Sequence, residues 1–241
     1  MLVNRLIMFI LIFFACLNSS LAKETACVMQ QKGGDLGAVF MVISKSGFRL
    51  DTSFGSMVSN IHDQNNYVYN MQSKVYCNAR GKIFTRRLSD LKPSSVGSKH
   101  NYKFMSWKKI GHAKICGLNT NCYEYRGQKA LSKDNIEVLV IKVWYATDII
   151  LPKNINSIFP LTEEFGHKEG LPLKVQKKYI DKDLNGQILS INKKDEWSTS
   201  KVETAMIDPR KEYKVPANFK QVANEYNVIL GNSNMLEESM K

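Results

Sequence analysis

The chain has 241 residues, with 34 Lys and Arg against 22 Asp and Glu, for a formal net charge of +12. Its length is enough for one well-buried domain and does not require two. The lysine excess favours anionic partners (lipid head groups, lipopolysaccharide, acidic polymer or nucleic acid) or is simply a solvated surface.

The first element is a leader. Arg5 precedes an apolar run of twelve, Leu6–Leu17 ("LIMFILIFFACL"), and Ser20-Leu21-Ala22 has the small-x-small pattern of a cleavage site. This predicts a secretory signal peptide over residues 1–22. The run is short for a membrane span, which needs about 20 apolar residues, so an uncleaved anchor is the competing reading. Lipid attachment at Cys16, after "FFA", is a third. Cleavage after Ala22 removes one basic and no acidic residue, taking +12 to +11 and leaving 219 residues. An exported chain has little access to nucleic acid.

Most of the chain beyond the leader alternates with period two. "GFRLDT" sets Phe48 and Leu50 against Arg49 and Asp51. "NYVYNMQ" sets Tyr67, Tyr69 and Met71 against Val68, Asn70 and Gln72. "LPLKVQKKY" sets Leu171, Leu173 and Val175 against Lys174 and Gln176. Alternation of this kind predicts antiparallel strands with one buried face. "IEVLVIKVWYAT", 136–147, is apolar on both faces apart from Glu137 and Lys142 and reads as a central strand. "KGGD", "KSG", "DQNN" and "DLNG" punctuate the runs as turns. The expected fold class is mainly β: a single curved antiparallel sheet, an unclosed barrel, with a short helical lid.

Two segments break the alternation. "GKIFTRRLSDLKP" places Phe84, Leu88 and Leu91 at helical spacing before Pro93, which predicts an amphipathic helix over 81–92. "LPKNINSIFPLTEEFG", 151–166, predicts a helical turn around Ile155, Ile158 and Phe159. No repeat, low-complexity run or linker divides the chain, so the domain is expected over 23–222 with a tail at 223–241.

Four cysteines remain after the leader: Cys27, Cys77, Cys116 and Cys122. An even count in an oxidising compartment predicts two disulfides, with three possible pairings. "KICGLNTNCYEY" reads as a hairpin with a loop from Gly117 to Asn121, which would set Cys116 opposite Cys122 and leave Cys27 with Cys77. A metal site is not expected, because the spacing is not CxxC and His62, His100, His112 and His167 form no cluster.

No nucleophile, metalloprotease or phosphate-loop motif is present, and no His or carboxylate pair has the nucleophile–base–orienter relationship of an active site. The chain is expected not to be an enzyme and to need no cofactor; an exported hydrolase ranks below the binding readings. The surplus of apolar residues must then be covered in one of two ways. The sheet either folds over a side-chain core or curves around a cavity that takes a hydrophobic ligand. Periodicity alone favours the filled core.

Several blocks resemble, in order, the LolA-like periplasmic lipoprotein-carrier superfamily. They are "GFRLDT…GSMVSNIHDQNNYVYNMQSKVY" with its Lys74-Val75-Tyr76 step, and "WKKIGHAKICGLNTNCYEYRG" with Gly111, Gly117 and Tyr123. "VWYATDIILPKN", "GLPLKVQ" and the closing "IDPRKEYKVPANFKQV" come next. Together they cover residues 37–222. The resemblance implies an unclosed antiparallel barrel with a helical lid, whose concave face binds acyl chains of lipid or lipoprotein without enzymatic activity; the chain is expected to be a monomer. The chain departs from the superfamily in lacking an opening amphipathic helix; it enters strand-like sequence at once, "ETACVMQQ". Resemblance and parity together nominate Phe48, Leu50, Tyr67, Tyr69, Met71, Tyr123, Tyr125, Val143, Tyr145, Leu173 and Val175 as the ligand-facing set. Arg86 and Arg87 would meet anionic head groups or a membrane surface. The alternative function is a non-catalytic envelope interaction module with a filled core and a basic partner-binding surface.

Overall fold

A computed structural model describes residues 23–33, 37–53, 55–61, 65–79, 103–104, 107–151, 170–223 and 227–228. The expected helices over 81–92 and within 151–166 lie outside these residues, as do the leader with Cys16, and Arg86 and Arg87. The described residues form one sheet. Its strands are β1 (Glu24–Gly33), β2 (Gly37–Ile43), β3 (Gly47–Thr52), β4 (Gly55–Asn60), β5 (Asn65–Asn70) and β6 (Val75–Ala79). β7 (Lys103–Phe104), β8 (Lys108–Ile115), β9 (Leu118–Ala130), β10 (Asn135–Ala146), β11 (Pro172–Asp183), β12 (Ile188–Ile207) and β13 (Lys220–Gln221) complete it. The order is β13-β6-β5-β4-β3-β2-β1-β12-β11-β10-β9-β7, with β8 also on β9. Thus the first six strands form one meander and β9 to β12 another, joined where β1 meets β12. Among the described residues the two ends of the sheet do not pair with each other, so the barrel is open and the expected fold class holds.

Neighbours pair antiparallel throughout, except that β13 runs parallel to β6. The register slips at Gln30/Gln31, Trp144/Tyr145, Val175/Gln176 and Asp181/Lys182. Such bulges add local twist and bend a strand, and these lie in the strands that must carry one meander round to face the other. The interior holds Met29, Met41, Phe48, Leu50, Met57 and Val68 from the first meander with Leu139, Ile141, Val143, Leu173, Val175 and Trp197 from the second.

The closing block is built differently from the extended segment that its sequence suggests. Asp208 caps a four-residue helix, α1 (Pro209–Glu212), by accepting from Arg210 N at 3.1 Å, with Pro209 at the first helical position. Tyr213 then lies against Ala26 and Val42 on the convex side of the sheet, and the chain crosses to β13, which bonds to Lys74 O and Tyr76 O at 2.9 and 2.8 Å. Residues 213–222 therefore strap the outer face of the first meander and cover the edge of β6.

Candidate functional site

The concave face is assembled in rows across the sheet. Tyr123 stands opposite Val143, Val143 opposite Val175, and Val175 opposite Trp197, so four strands contribute one continuous apolar row. Leu173, Tyr145 and Phe48 with Leu50 extend the same interior cluster. Phe48, Val143, Leu173 and Val175 are 0% exposed, Leu50 4% and Tyr145 3%. Tyr123 and Tyr125 pack against the cluster while staying partly exposed. Trp107 stacks on Tyr125 at 4.8 Å between centroids, and Tyr123 meets Tyr145 edge-on at 6.1 Å.

Eight of the eleven nominated residues are therefore together in the interior; Tyr67, Tyr69 and Met71 are not. Val68 is the inward residue of β5, which turns its neighbours outward. Tyr67 packs edge-on to Tyr76 at 6.1 Å, and Tyr69 meets Phe219 of the strap at 5.8 Å. Met71 is in the turn after β5 and 58% exposed. The correction has a physical cause. Alternating tyrosines suggest one inner face, but the strap covers β5 from outside, so aromatic and aliphatic residues on opposite parities are both buried. Arg49 belongs to the same outer face, donating to Asp51 at 3.1 Å and to Glu212 at 3.0 Å.

The expected disulfides are not found: among the described residues no disulfide joins Cys27, Cys77, Cys116 or Cys122. The hairpin turns on two residues, Cys116 and Gly117, both in the left-handed region at φ 48° and 84°, with Ile115 opposite Leu118. This tight turn is of the kind favoured by strand twist. It puts Cys116 at the exposed tip and sets Gly111, not Cys116, opposite Cys122. Cys27 is on β1 and Cys77 on β6, with four strands between them in the sheet. Burial pushes the Cys27 and Cys122 thiols up, away from thiolate reactivity.

A cavity of about 300 Å³ opens at the end of β10, lined by Asn121, Tyr123, Tyr145, Ala146, Thr147, Ile149, Ile150, Leu151 and Gly170. Several of these escape a reading by period because they come after the strand, in "TDIIL"; three consecutive apolar residues in a non-strand segment are the available signal. Asp148 fixes this rim to the start of β9, accepting from Asn119 N at 2.9 Å and Asn119 Nδ2 at 3.0 Å. Those bonds, the backbone one first, hold its carboxyl below the usual range. Among the described residues the buried Tyr145 hydroxyl has no hydrogen-bond partner, and burial pushes its pKa well above the ordinary phenol value. It is a neutral, unspent donor. Gly170, at φ 140°, would bring a Cβ to 3.4 Å from the Tyr145 side chain, so any larger residue narrows the space. Among the described residues no group of three or more His, Cys, Asp or Glu is placed to hold a metal. What the geometry offers is a cavity of mixed lining, apolar at Ile149, Ile150 and Leu151 and polar at Asn121 and Thr147, with the Tyr145 hydroxyl buried beside it.

No family model matches the chain, and no curated protein matches it. Among solved structures it is similar to one described as an outer membrane lipoprotein-sorting protein domain from Vibrio parahaemolyticus, at 12% identity over 90% of this chain and 92% of that one. The TM-score of 0.18 is too low for that likeness to carry an argument about fold or function.

Proposed function

We propose that the chain is an exported, periplasmic, non-enzymatic binding protein that holds the acyl chain of a lipid or of a lipidated cargo protein against its concave sheet. The supporting observation is the cavity between Tyr123, Tyr145 and Leu151, where Tyr123 also begins the packed apolar row through Val143, Val175 and Trp197. Its volume of about 300 Å³ lies at the low end of ligand pockets, which span roughly 300–1,000 Å³. Ile150 stands 90% exposed at the rim, an apolar side chain held in water where a chain would enter. The unpartnered Tyr145 hydroxyl suits an ester or amide carbonyl at the head of such a chain, since an unmet buried donor costs about 1–3 kcal/mol until it is satisfied. No metal or cofactor enters this reading.

The test is organic extraction of the purified protein with mass spectrometry of the extract, alongside titration with a fluorescent fatty acid. Co-purifying lipid and saturable probe binding, weakened by Ile150→Glu, are expected. An empty extract together with non-saturable binding refutes the reading. The second reading, an envelope interaction module with a filled core, is favoured by the near-complete burial of Phe48, Leu50, Val143, Leu173 and Val175. It expects a salt-sensitive protein partner on the basic surface.

A further inference from the structure

The end of the sheet opposite the cavity is built for a different contact. β1 pairs with β12 only from Trp197 to Ile207, so residues 188–193 have β11 on one side and no described strand on the other. Asn135 stands opposite Asp183, which sets the β9–β10 turn (131–134) beside the β11–β12 turn (184–187). Of the eleven exposed large apolar residues among the described ones, five gather here: Leu131, Leu184, Ile188, Leu189 and Ile191, each 49–64% exposed.

The charges around them are arranged in rungs. Lys178 stands directly opposite Lys193, and Ile180 directly opposite Ile191 one rung nearer the tip. Lys182 stands opposite Ile188 on the rung nearest the tip, and Lys133 and Asp134 lie in the β9–β10 turn itself. Like charges paired across a ladder repel, so the lysine rung is stabilised by an outside anion. Three carboxylates at this end already have partners of their own. Asp181 accepts from Ser190 at 2.6 Å, Asp183 accepts from Gln187 N at 2.7 Å, and Glu137 is paired with Lys129 at 2.7 Å. Successive rungs on one face are about 7 Å apart, so the Ile180–Ile191 rung lies just beyond the Lys178–Lys193 rung. That order, with the long Lys182 and Lys133 side chains able to reach back from the tip toward the same level, matches the order of acyl boundary and head groups in a bilayer.

We infer that this end of β9–β12 docks on an anionic lipid bilayer, with Leu184, Ile188, Leu189 and Ile191 entering the acyl boundary and Lys178, Lys182 and Lys193 resting on the head groups. A bilayer suits side chains spread over two adjacent turns and the strand behind them. A second copy pairing along the open edge of β12 would have to bring lysine rungs together, a known guard against edge association. The inference is independent of the acyl-binding reading, because the cavity lies at the other end of the same strands.

The test is flotation of the full chain with vesicles of 3:1 phosphatidylcholine and phosphatidylglycerol, against pure phosphatidylcholine. The N-terminal apolar run is common to every variant and cancels in the comparison. Binding to the anionic vesicles that falls as salt is raised is expected. Lys178→Gln with Lys193→Gln should weaken it about thirtyfold, from roughly 1 kcal/mol per lysine near an anionic surface. Ile188→Ser with Ile191→Ser should remove it. Leu189→Trp should add emission that shifts to the blue and is quenched by brominated anionic lipid. Fatty-acid probe binding should be unchanged in all three. Equal binding to neutral vesicles, unchanged binding in the lysine variant, or no blue shift overturns the inference. So does a concentration-dependent dimer lost in the hairpin variants without any vesicle binding, which assigns the edge to a second copy.

Discussion

Replacing Tyr213 tests whether the strap holds the open sheet together. Its ring is 2% exposed, lies over Gly47 at a distance where a Cβ would come within 2.5 Å of it, and packs on Ala26 and Val42. Its hydroxyl donates to Ser44 Oγ at 2.7 Å. Ser44 in turn donates to the Glu24 carboxylate, which also accepts from Ser46 Oγ at 2.7 Å. Tyr213→Phe removes one hydrogen bond and leaves Ser44 its other partners, a loss of about 1 kcal/mol. Tyr213→Ala empties the ring's site and should cost about 3–5 kcal/mol. For a domain of this size each kcal/mol is worth roughly 2–4 °C in Tm, so the alanine variant should melt about 10 °C lower. Gly47→Ala should also destabilise, since the new methyl meets the Tyr213 ring and Ser59 O, both at 2.5 Å. Because it strikes the same ring, its cost should shrink in the Tyr213→Ala background by about 1 kcal/mol or more. Urea unfolding followed by fluorescence, with thermal melts in parallel, reads the parent, the three single variants and the double variant. A Tyr213→Ala variant melting within about 2 °C of the parent, or strictly additive costs in the double variant, would refute the strap as a stabilising element.

Burial, opposed by the Ser44 hydrogen bond, pushes the Tyr213 hydroxyl up to about 12 from 10.0. The unfolded chain therefore loses this proton first, so stability is whole below pH 10, falls between pH 10 and about 12, and levels off beyond. The loss is roughly 2–3 kcal/mol, and unfolding across that window should show it in the parent and not in Tyr213→Phe. Gly170→Val should fill space beside Tyr145 and reduce fatty-acid probe affinity severalfold, with the vesicle binding of the distal hairpin unchanged. Tyr145→Phe should leave affinity for a plain hydrocarbon probe unaltered and lower it for an ester; equal effects on both would remove the hydroxyl from recognition. A thiol reagent should modify exposed Cys116 within the native state and buried Cys77 and Cys122 only after unfolding. A reductant should not move Tm, whereas a reductant-sensitive melt would restore the disulfides.

Alternation in "GFRLDT" and "GLPLKV" is enough to assign strands and an inner face, because these strands are covered by the interior on one side and their outer parity is polar. The two-sided apolar run at 136–147 announces a central strand for the same reason, and an open antiparallel sheet is the natural product of many short runs joined by turns. Parity fails at β5. There the sequence is apolar or aromatic on both sides, and only the return of residues 213–222 across the outer surface decides that Val68 faces in and Tyr69 out. The hairpin at Cys116 fails for a different reason. A two-residue and a five-residue turn fit the same letters, and the choice moves Cys122 along the ladder, so that two cysteines six residues apart no longer meet. Composition and period thus determined that this is a basic, sheet-forming chain with one apolar face. Which residues share that face, where it leaves a cavity, and which strands run free beyond their neighbours were decided by long-range pairing of β1 with β12 and of β13 with β6, contacts between residues far apart in sequence that no local pattern encodes.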